Sequence, residues 1–129
     1  MSLEQKLHRA QQRLADAYGL EPDLTARQYA ILSYLAEQHG VSQTVIVDAT
    51  GIDRSTTATM TAQMVKRGLV HRKRSRTDGR AYVVSITDAG RTALKVAKPK
   101  VAKVDRQAMS HLNHGQRLAL IAALDALVS

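Results

Sequence analysis

The sequence predicts a mainly α fold carrying one small β-hairpin, and three observations predict it. Apolar residues recur at helical spacing through most of the 129 residues. The period switches to that of strands only between Leu69 and Ile86, on either side of an Asp78-Gly79 pair. Capping residues and glycine stops punctuate the remainder.

Leu3, Leu7, Ala10, Leu14 and Ala17 form one stripe of a first helix, close to a coiled-coil seam. Gly19 ends it, and Glu21-Pro22-Asp23 is a linker. Thr25 opens a second helix, with Gln28 completing a capping box and Leu24 and Tyr29 at the staple positions. Ile31, Leu32 and Leu35 supply its buried face, and Gly40 is expected to stop it. Ser42 caps a short third helix that ends near Thr50, with Gly51 as the turn. The run Thr44-Val45-Ile46-Val47 is β-branched and would favour a strand in isolation, so this helix rests on context.

Asp53 caps a fourth helix that runs to about Arg67 and ends at Gly68. Thr57, Met60, Thr61, Met64 and Val65 fall on its inner side; Ser55, Thr59, Gln63 and Lys66 lie opposite, with Thr56 at the margin. None of the outer residues is large and apolar, so that side suits water or a polar partner. Residues 69–74 and 81–86 then read as two strands joined by Ser75 to Arg80. Thr87 caps a long helix through Met109, which Pro99 should kink or split. Asn113 with Gln116 opens the last helix, in which Asp125 is the only charge between Leu118 and Val128. A helix apolar nearly all round must be covered on more than one side.

The charge is unevenly spread. Met1 to Asp53 holds four basic and seven acidic residues, whereas Arg54 to Arg106 holds fourteen basic and three acidic. Seven of the basic residues lie between Lys66 and Arg80, opposed only by Asp78. A basic block confined to mid-chain suits a polyanion, because neutralised phosphates release counterions. Cysteine is absent, which excludes disulfides, thiolate zinc sites and thiol-based peroxide sensing. No apolar run reaches membrane-spanning length and no signal-peptide core opens the chain, so a cytoplasmic, nucleoid-associated protein is expected. Phe and Trp are missing, which disfavours a single-strand binder that stacks bases on aromatic rings.

An enzyme lacks its parts in this sequence: there is no nucleophilic Cys, no glycine-rich phosphate loop, no His-Glu metalloprotease spacing and no clustered carboxylate pair. No cofactor is implied. His111 and His114, joined by His39 or Asp105, would suit a metal sensor only if they shared a helical face, and two histidines are more simply solvated surface residues.

Helix, short helix, turn, polar-faced helix and basic hairpin in that order is the winged helix-turn-helix arrangement. Such a helix fits the major groove, and a cationic hairpin beside it can follow the backbone or enter the minor groove. The stretch Asp78-Gly79-Arg80-Ala81-Tyr82-Val83-Val84-Ser85-Ile86-Thr87-Asp88-Ala89-Gly90 resembles the wing signature of the MarR (multiple antibiotic resistance regulator) family, with Ile86 where Leu is commoner. Leu24 to Leu32 and Asp53 to Val70 resemble the family's second helix and recognition helix.

The resemblance implies a single domain over residues 1–129. Residues 24–90 would form the DNA-binding winged helix-turn-helix, and residues 3–18 and 91–128 the dimerisation helices. Ser55, Thr56, Thr59 and Gln63 would enter the major groove, Arg80 would reach the minor groove with Asp78 holding it or the turn, and Arg54, Lys66, Arg72, Arg74 and Arg76 would meet phosphates. Where many members carry an arginine in mid-helix this chain has Thr59, so a bidentate guanine contact of about 1–3 kcal/mol is lost there. Leu3, Leu7, Leu14, Leu118, Ile121, Leu124 and Val128 would face a second copy of the chain. A small-molecule effector would meet Tyr18, Tyr29 and Tyr34. The function implied is a ligand-responsive repressor that binds double-stranded DNA as a homodimer on a pseudo-palindrome. A metal-responsive regulator, an activator of the same fold and a non-specific architectural protein stay open as alternatives.

Overall fold

The computed structural model describes residues 1–18, 24–76 and 82–129, with Tyr18 described by its backbone alone. The expected stop at Gly19, the Glu21-Pro22-Asp23 linker and the Asp78-Gly79 turn lie outside those residues. The elements run α1 (Leu3–Tyr18), α2 (Ala26–Leu35), α3 (Gln43–Thr50), α4 (Arg54–Lys66), β1 (Val70–Arg74), β2 (Tyr82–Ile86), α5 (Asp88–Ala108) and α6 (His114–Val128). The mainly α fold with one antiparallel hairpin is thus the observed one. Two compact units divide the chain, one of residues 21–99 and one of residues 1–20 and 100–129. No helix among the described residues is long and apolar enough to cross a membrane.

The first unit holds the core. Leu24, Ile31, Leu32, Leu35, Ile46, Met64, Leu69, Val70, Val84 and Leu94 are buried together, drawn from every element of the unit. The α2 capping box forms as expected: the Gln28 amide donates to Thr25 Oγ1 at 3.2 Å, and the Thr25 amide donates to Gln28 Oε1 at 3.1 Å. The far end of α2 differs from expectation. The helix stops at Leu35 rather than near Gly40, because the Glu37 and Gln38 amides tighten onto the Tyr34 and Leu35 carbonyls and Arg91 donates to the Ala36 carbonyl at 3.2 Å. Gly40 serves another purpose. It sits at φ +110°, and a Cβ there would lie 2.6 Å from Val83 Cγ1. The bare backbone passes close enough to β2 for Val41 and Val84 to exchange both amide hydrogen bonds, at 3.0 and 2.8 Å.

The β-branched run of α3 is helical despite its intrinsic preference. Ser42 accepts from the Val45 amide at 3.3 Å, Gly51 closes the helix in the left-handed region at φ +71°, and Ile46 is wholly buried. Caps and burial override local propensity. In α4, Thr57, Thr61 and Met64 are buried, Met60 and Val65 half-buried, and Gly68 ends the helix at φ +74°. β1 and β2 pair from Val70 with Ile86 to Arg74 with Tyr82.

Leu69 and Thr87 form a knot at the base of the hairpin. The Thr87 amide donates to the Leu69 carbonyl at 3.0 Å, the Thr87 hydroxyl donates to the Gly68 carbonyl, and the same oxygen accepts from the Gly90 amide at 3.0 Å. Gly90 sits so close that a Cβ would collide with the Leu69 carbonyl oxygen and lie 2.7 Å from Ile86 Cγ1. This closeness is the physical reason for a threonine followed three residues later by glycine.

In the second unit α1 opens with a capping box of its own that sequence reading missed, Ser2 and Gln5 exchanging bonds of 2.9 and 3.2 Å. The Asn113–Gln116 box of α6 forms as expected, with bonds of 3.0 and 2.8 Å. α5 runs unbroken through Pro99, so the proline does not split it, and the boundary between the two units falls at that residue.

Two substitutions in the first unit should move stability in opposite directions. Gly90→Ala, worth about 1 kcal/mol of gain in an ordinary helix interior, should instead cost about 1–3 kcal/mol because backbone must move. Thr61 is fully buried, and its hydroxyl has no hydrogen-bond partner among the described residues. Thr61→Val should therefore stabilise by about 1 kcal/mol. Urea denaturation checks both, and a stabilised Gly90→Ala variant would contradict the steric account.

Candidate nucleic-acid interface

The outer side of α4 is set by its inner one. With Thr57, Thr61 and Met64 buried, helical geometry leaves Arg54, Ser55, Thr59, Gln63 and Lys66 exposed along the opposite side. Several of the expected contact residues already have partners within the chain, Arg54 and Thr56 among them. Arg54 donates to Thr44 Oγ1 on α3 at 3.2 Å. Thr56, half-buried, is held by the helix cap: its amide and its hydroxyl donate to the two Asp53 carboxylate oxygens, each at 2.7 Å. These bonds stabilise the charged form, so the Asp53 carboxyl is held below its ordinary value of 3.8, chiefly by the Thr56 amide, then the Thr56 hydroxyl, with Arg27 adding positive charge nearby.

The hairpin carries its own gradient. Cross-strand partners share a face, so Val70, Val84 and Ile86 lie on the face that also bears Arg72, Arg74 and Tyr82. At the base this face is buried core; toward the tip it emerges as two guanidiniums and an exposed ring. Arg72 and Arg74 each place Cζ 5.5 Å from the centre of the Tyr82 ring, within cation–π range. Arg76 is exposed beyond them, and so is Lys73 on the other face. Asp78 and Arg80 lie outside the described residues.

Three contributors were missed from sequence. Tyr82 stands two residues before the buried Val84, so strand alternation could have placed it on the arginine face. Arg27 and Gln28, at the start of α2, gave no sign of their proximity to α4. Gln28 is buried and its Nε2 donates to Gln63 Oε1 at 3.4 Å.

Of the remaining expected site residues, Leu3, Leu7 and Leu14 on α1 and Leu118, Ile121, Leu124 and Val128 on α6 are all exposed in the single chain. Tyr29 and Tyr34 are half-buried against the core, while the Tyr18 side chain is not among the described ones. His111 lies in the turn after α5 and His114 is the first residue of α6, so the helix break falls between them and they share no helical face. Among the described residues no three His, Cys, Asp or Glu side chains gather as metal ligands would.

Comparison with known proteins places this geometry. The sequence model of the MarR family matches residues 23–81. The transcriptional regulator HosA of Escherichia coli is 35% identical over 92 residues, which cover 71% of this chain and 68% of HosA. The solved structure of the transcriptional repressor CouR bound to a 23-mer DNA duplex superposes with a TM-score of 0.86 at 30% identity, covering 99% of this chain and 93% of CouR. Bordetella bronchiseptica BpsR, whose DNA binding is regulated by 6-hydroxynicotinic acid, gives 0.92 at 26% identity over 98% of this chain and 92% of BpsR.

The α4 cap makes a prediction about acid. A carboxyl whose folded pKa is depressed adds stability above its unfolded pKa and loses it as pH falls through the folded one. Relative to Asp53→Asn, which caps without titrating, the wild-type chain should lose thermal stability as pH is lowered past 3.8. A constant difference between the two melting temperatures from neutral pH to pH about 2 would show that the cap is not ionised.

Proposed function

The chain belongs to the MarR family and is a transcriptional regulator; from that premise we propose that it is a repressor that grips a pseudo-palindromic DNA duplex as a homodimer and releases it on binding a small ligand. The observation that carries this reading is the outer side of α4, where Ser55, Thr59, Gln63 and Lys66 are exposed, next to a hairpin face that presents Arg72 and Arg74. Short hydroxyl and amide groups on an open helix suit base edges in the major groove, and guanidiniums beside them suit phosphates. Arg54 and Arg76 extend that phosphate-binding set. On this reading Arg80 enters the minor groove, with Asp78, two residues before it, holding it or the turn. Thr56 has both its amide and its hydroxyl engaged by Asp53, so its part is to hold the start of α4 in place.

Support for the homodimer comes from the second unit. Leu118, Ile121 and Leu124 are 55%, 53% and 47% exposed, and no residue of α6 is buried. Leu3, Leu7 and Leu14 repeat the pattern on α1. A row of this length is rarely left to water, and a second copy that covers it would bring two recognition helices to bear on one duplex. Residues 3–18 and 91–128 are the dimerisation helices of this reading, and residues 24–90 its DNA-binding part. The ligand is a small, partly apolar acid met by Tyr18, Tyr29 and Tyr34. In its favour stand the half-buried rings of Tyr29 and Tyr34 and the regulation of the similar BpsR by 6-hydroxynicotinic acid.

Fluorescence anisotropy with a selected duplex tests the reading. Affinity should exceed that for random duplex by roughly 10³ or more. Arg80→Ala should weaken binding and lower the slope of log affinity against log salt by about one. Equal affinity for every duplex would overturn the specific regulator, and a monomer at micromolar concentration in sedimentation would overturn the homodimer.

A further inference from the structure

We infer that Gln28 is a positioning residue for base choice: it fixes which end of the Gln63 amide meets DNA. The inference rests on the DNA-reading role of α4 proposed above, and goes beyond it in assigning a polarity to one contact.

The polarity follows from a backbone group that can only donate. The Thr25 N–H lies 3.1 Å from one terminal atom of Gln28, so that atom is the oxygen Oε1. Gln28 is 6% exposed and bridges α2 and α4, so its other terminal atom, the nitrogen Nε2, is the one that faces α4. There it meets the Gln63 side chain at 3.4 Å. Two amide nitrogens would set donor against donor, so Gln63 turns its own oxygen toward Gln28. What Gln63 offers outward is its Nε2, a pair of donors.

A free glutamine reads adenine bidentately, its oxygen accepting from N6 and its nitrogen donating to N7. With the oxygen engaged by Gln28, that contact must share the oxygen's second lone pair or break the Gln28 bond, and it is disfavoured. A donor-only tip suits the acceptors of the major groove, best guanine with O6 and N7 side by side, then thymine O4; adenine N7 also accepts but has the N6 amine beside it, and cytosine offers no acceptor. Gln63 in this chain is accordingly a reader of guanine or thymine at one position of each half-site, and the buried Gln28 is what makes it so.

Base selection from a randomised duplex pool, with the full-length chain, tests this. The wild-type chain should favour guanine or thymine at one symmetric position, and Gln63→Ala should lose that preference. Gln28→Glu keeps an oxygen for the Thr25 amide but puts a second acceptor toward Gln63, which then turns its nitrogen inward and its oxygen out. Preference at that same position should shift about tenfold toward a base with an exocyclic amine, adenine or cytosine. Gln28→Leu, which leaves the Gln63 amide free to turn, should broaden it. An unchanged preference in a folded Gln28 variant would overturn the inference, as would a Gln63→Ala chain that selects the same sites as wild type.

NMR gives a test that does not depend on the Gln28 variants folding. Gln63→Ala alters an exposed residue, and it should shift the Gln28 side-chain amide resonances. Unmoved resonances would overturn the relay. A wild-type chain that selects no sequence at all would instead defeat the regulator reading on which the relay stands.

Discussion

The rotation of α4 about its own axis is the constraint on which the interface depends. Thr57, Thr61 and Met64 are fully buried, and they fall on one side of a helix that turns about 100° per residue. Moving any one of them outward would carry Ser55, Thr59 and Gln63 out of line together. Thr57 reinforces the setting by donating to the Ile52 carbonyl at 3.3 Å, ahead of the helix, and Asp53 fixes the first turn. The inner side achieves this with two threonines and a methionine rather than with aromatic rings. Small inner residues let α4 lie close to its neighbours, at the expense of a Thr61 hydroxyl that has no partner among the described residues.

The hairpin is subject to a second constraint, the knot among Gly68, Leu69, Thr87 and Gly90. Through it the end of α4, the root of β1 and the start of α5 share hydrogen bonds within a few ångströms. Val41 adds a second backbone partner to β2 from the other side. The base of the hairpin is therefore fixed to the core, and the charged face begins where core burial ends. Tyr82 sits at that change. Its ring gives Arg72 and Arg74 a common surface, which restricts two long side chains that solvent would otherwise leave free. Arginines arranged in this way lose less conformational entropy on meeting phosphates than the same residues on a bare strand.

Most of the fold could be read from sequence because its caps and glycines are local signals. Thr25, Ser42, Asp53 and Asn113 each accept from the amide three residues on, as their residue types demand. The inner and outer sides of α4 followed from spacing alone. What sequence could not supply was tertiary. α3 is a helix against its own β-branched preference, held by Ile46 in the core. α2 ends early because Arg91, 55 residues on, reaches the Ala36 carbonyl. Gly40 looked like a stop and is instead a passage past Val83. The Gln28–Gln63 contact spans 35 residues and joins two side chains that sequence assigns to separate duties, one a cap and one a reader.

The two units differ in what they require to be stable. Residues 21–99 close a core of their own, so their fold is settled within one chain. In α6, apolar nearly all round, no residue is buried, and α1 carries its leucines exposed. Such helices gain little from folding alone, because an isolated helix of 15 or 16 residues is marginal in water. In the proposed homodimer their folding and their association become one event, and stability there depends on protomer concentration. A regulator built this way ties the spacing of its two recognition helices to the packing of its least self-sufficient part. A ligand that favours one packing over another by even about 1.4 kcal/mol changes the population of DNA-competent dimers tenfold. The sensitivity of such a switch resides in the helices that need a partner, and the reading of DNA in the lobe that does not.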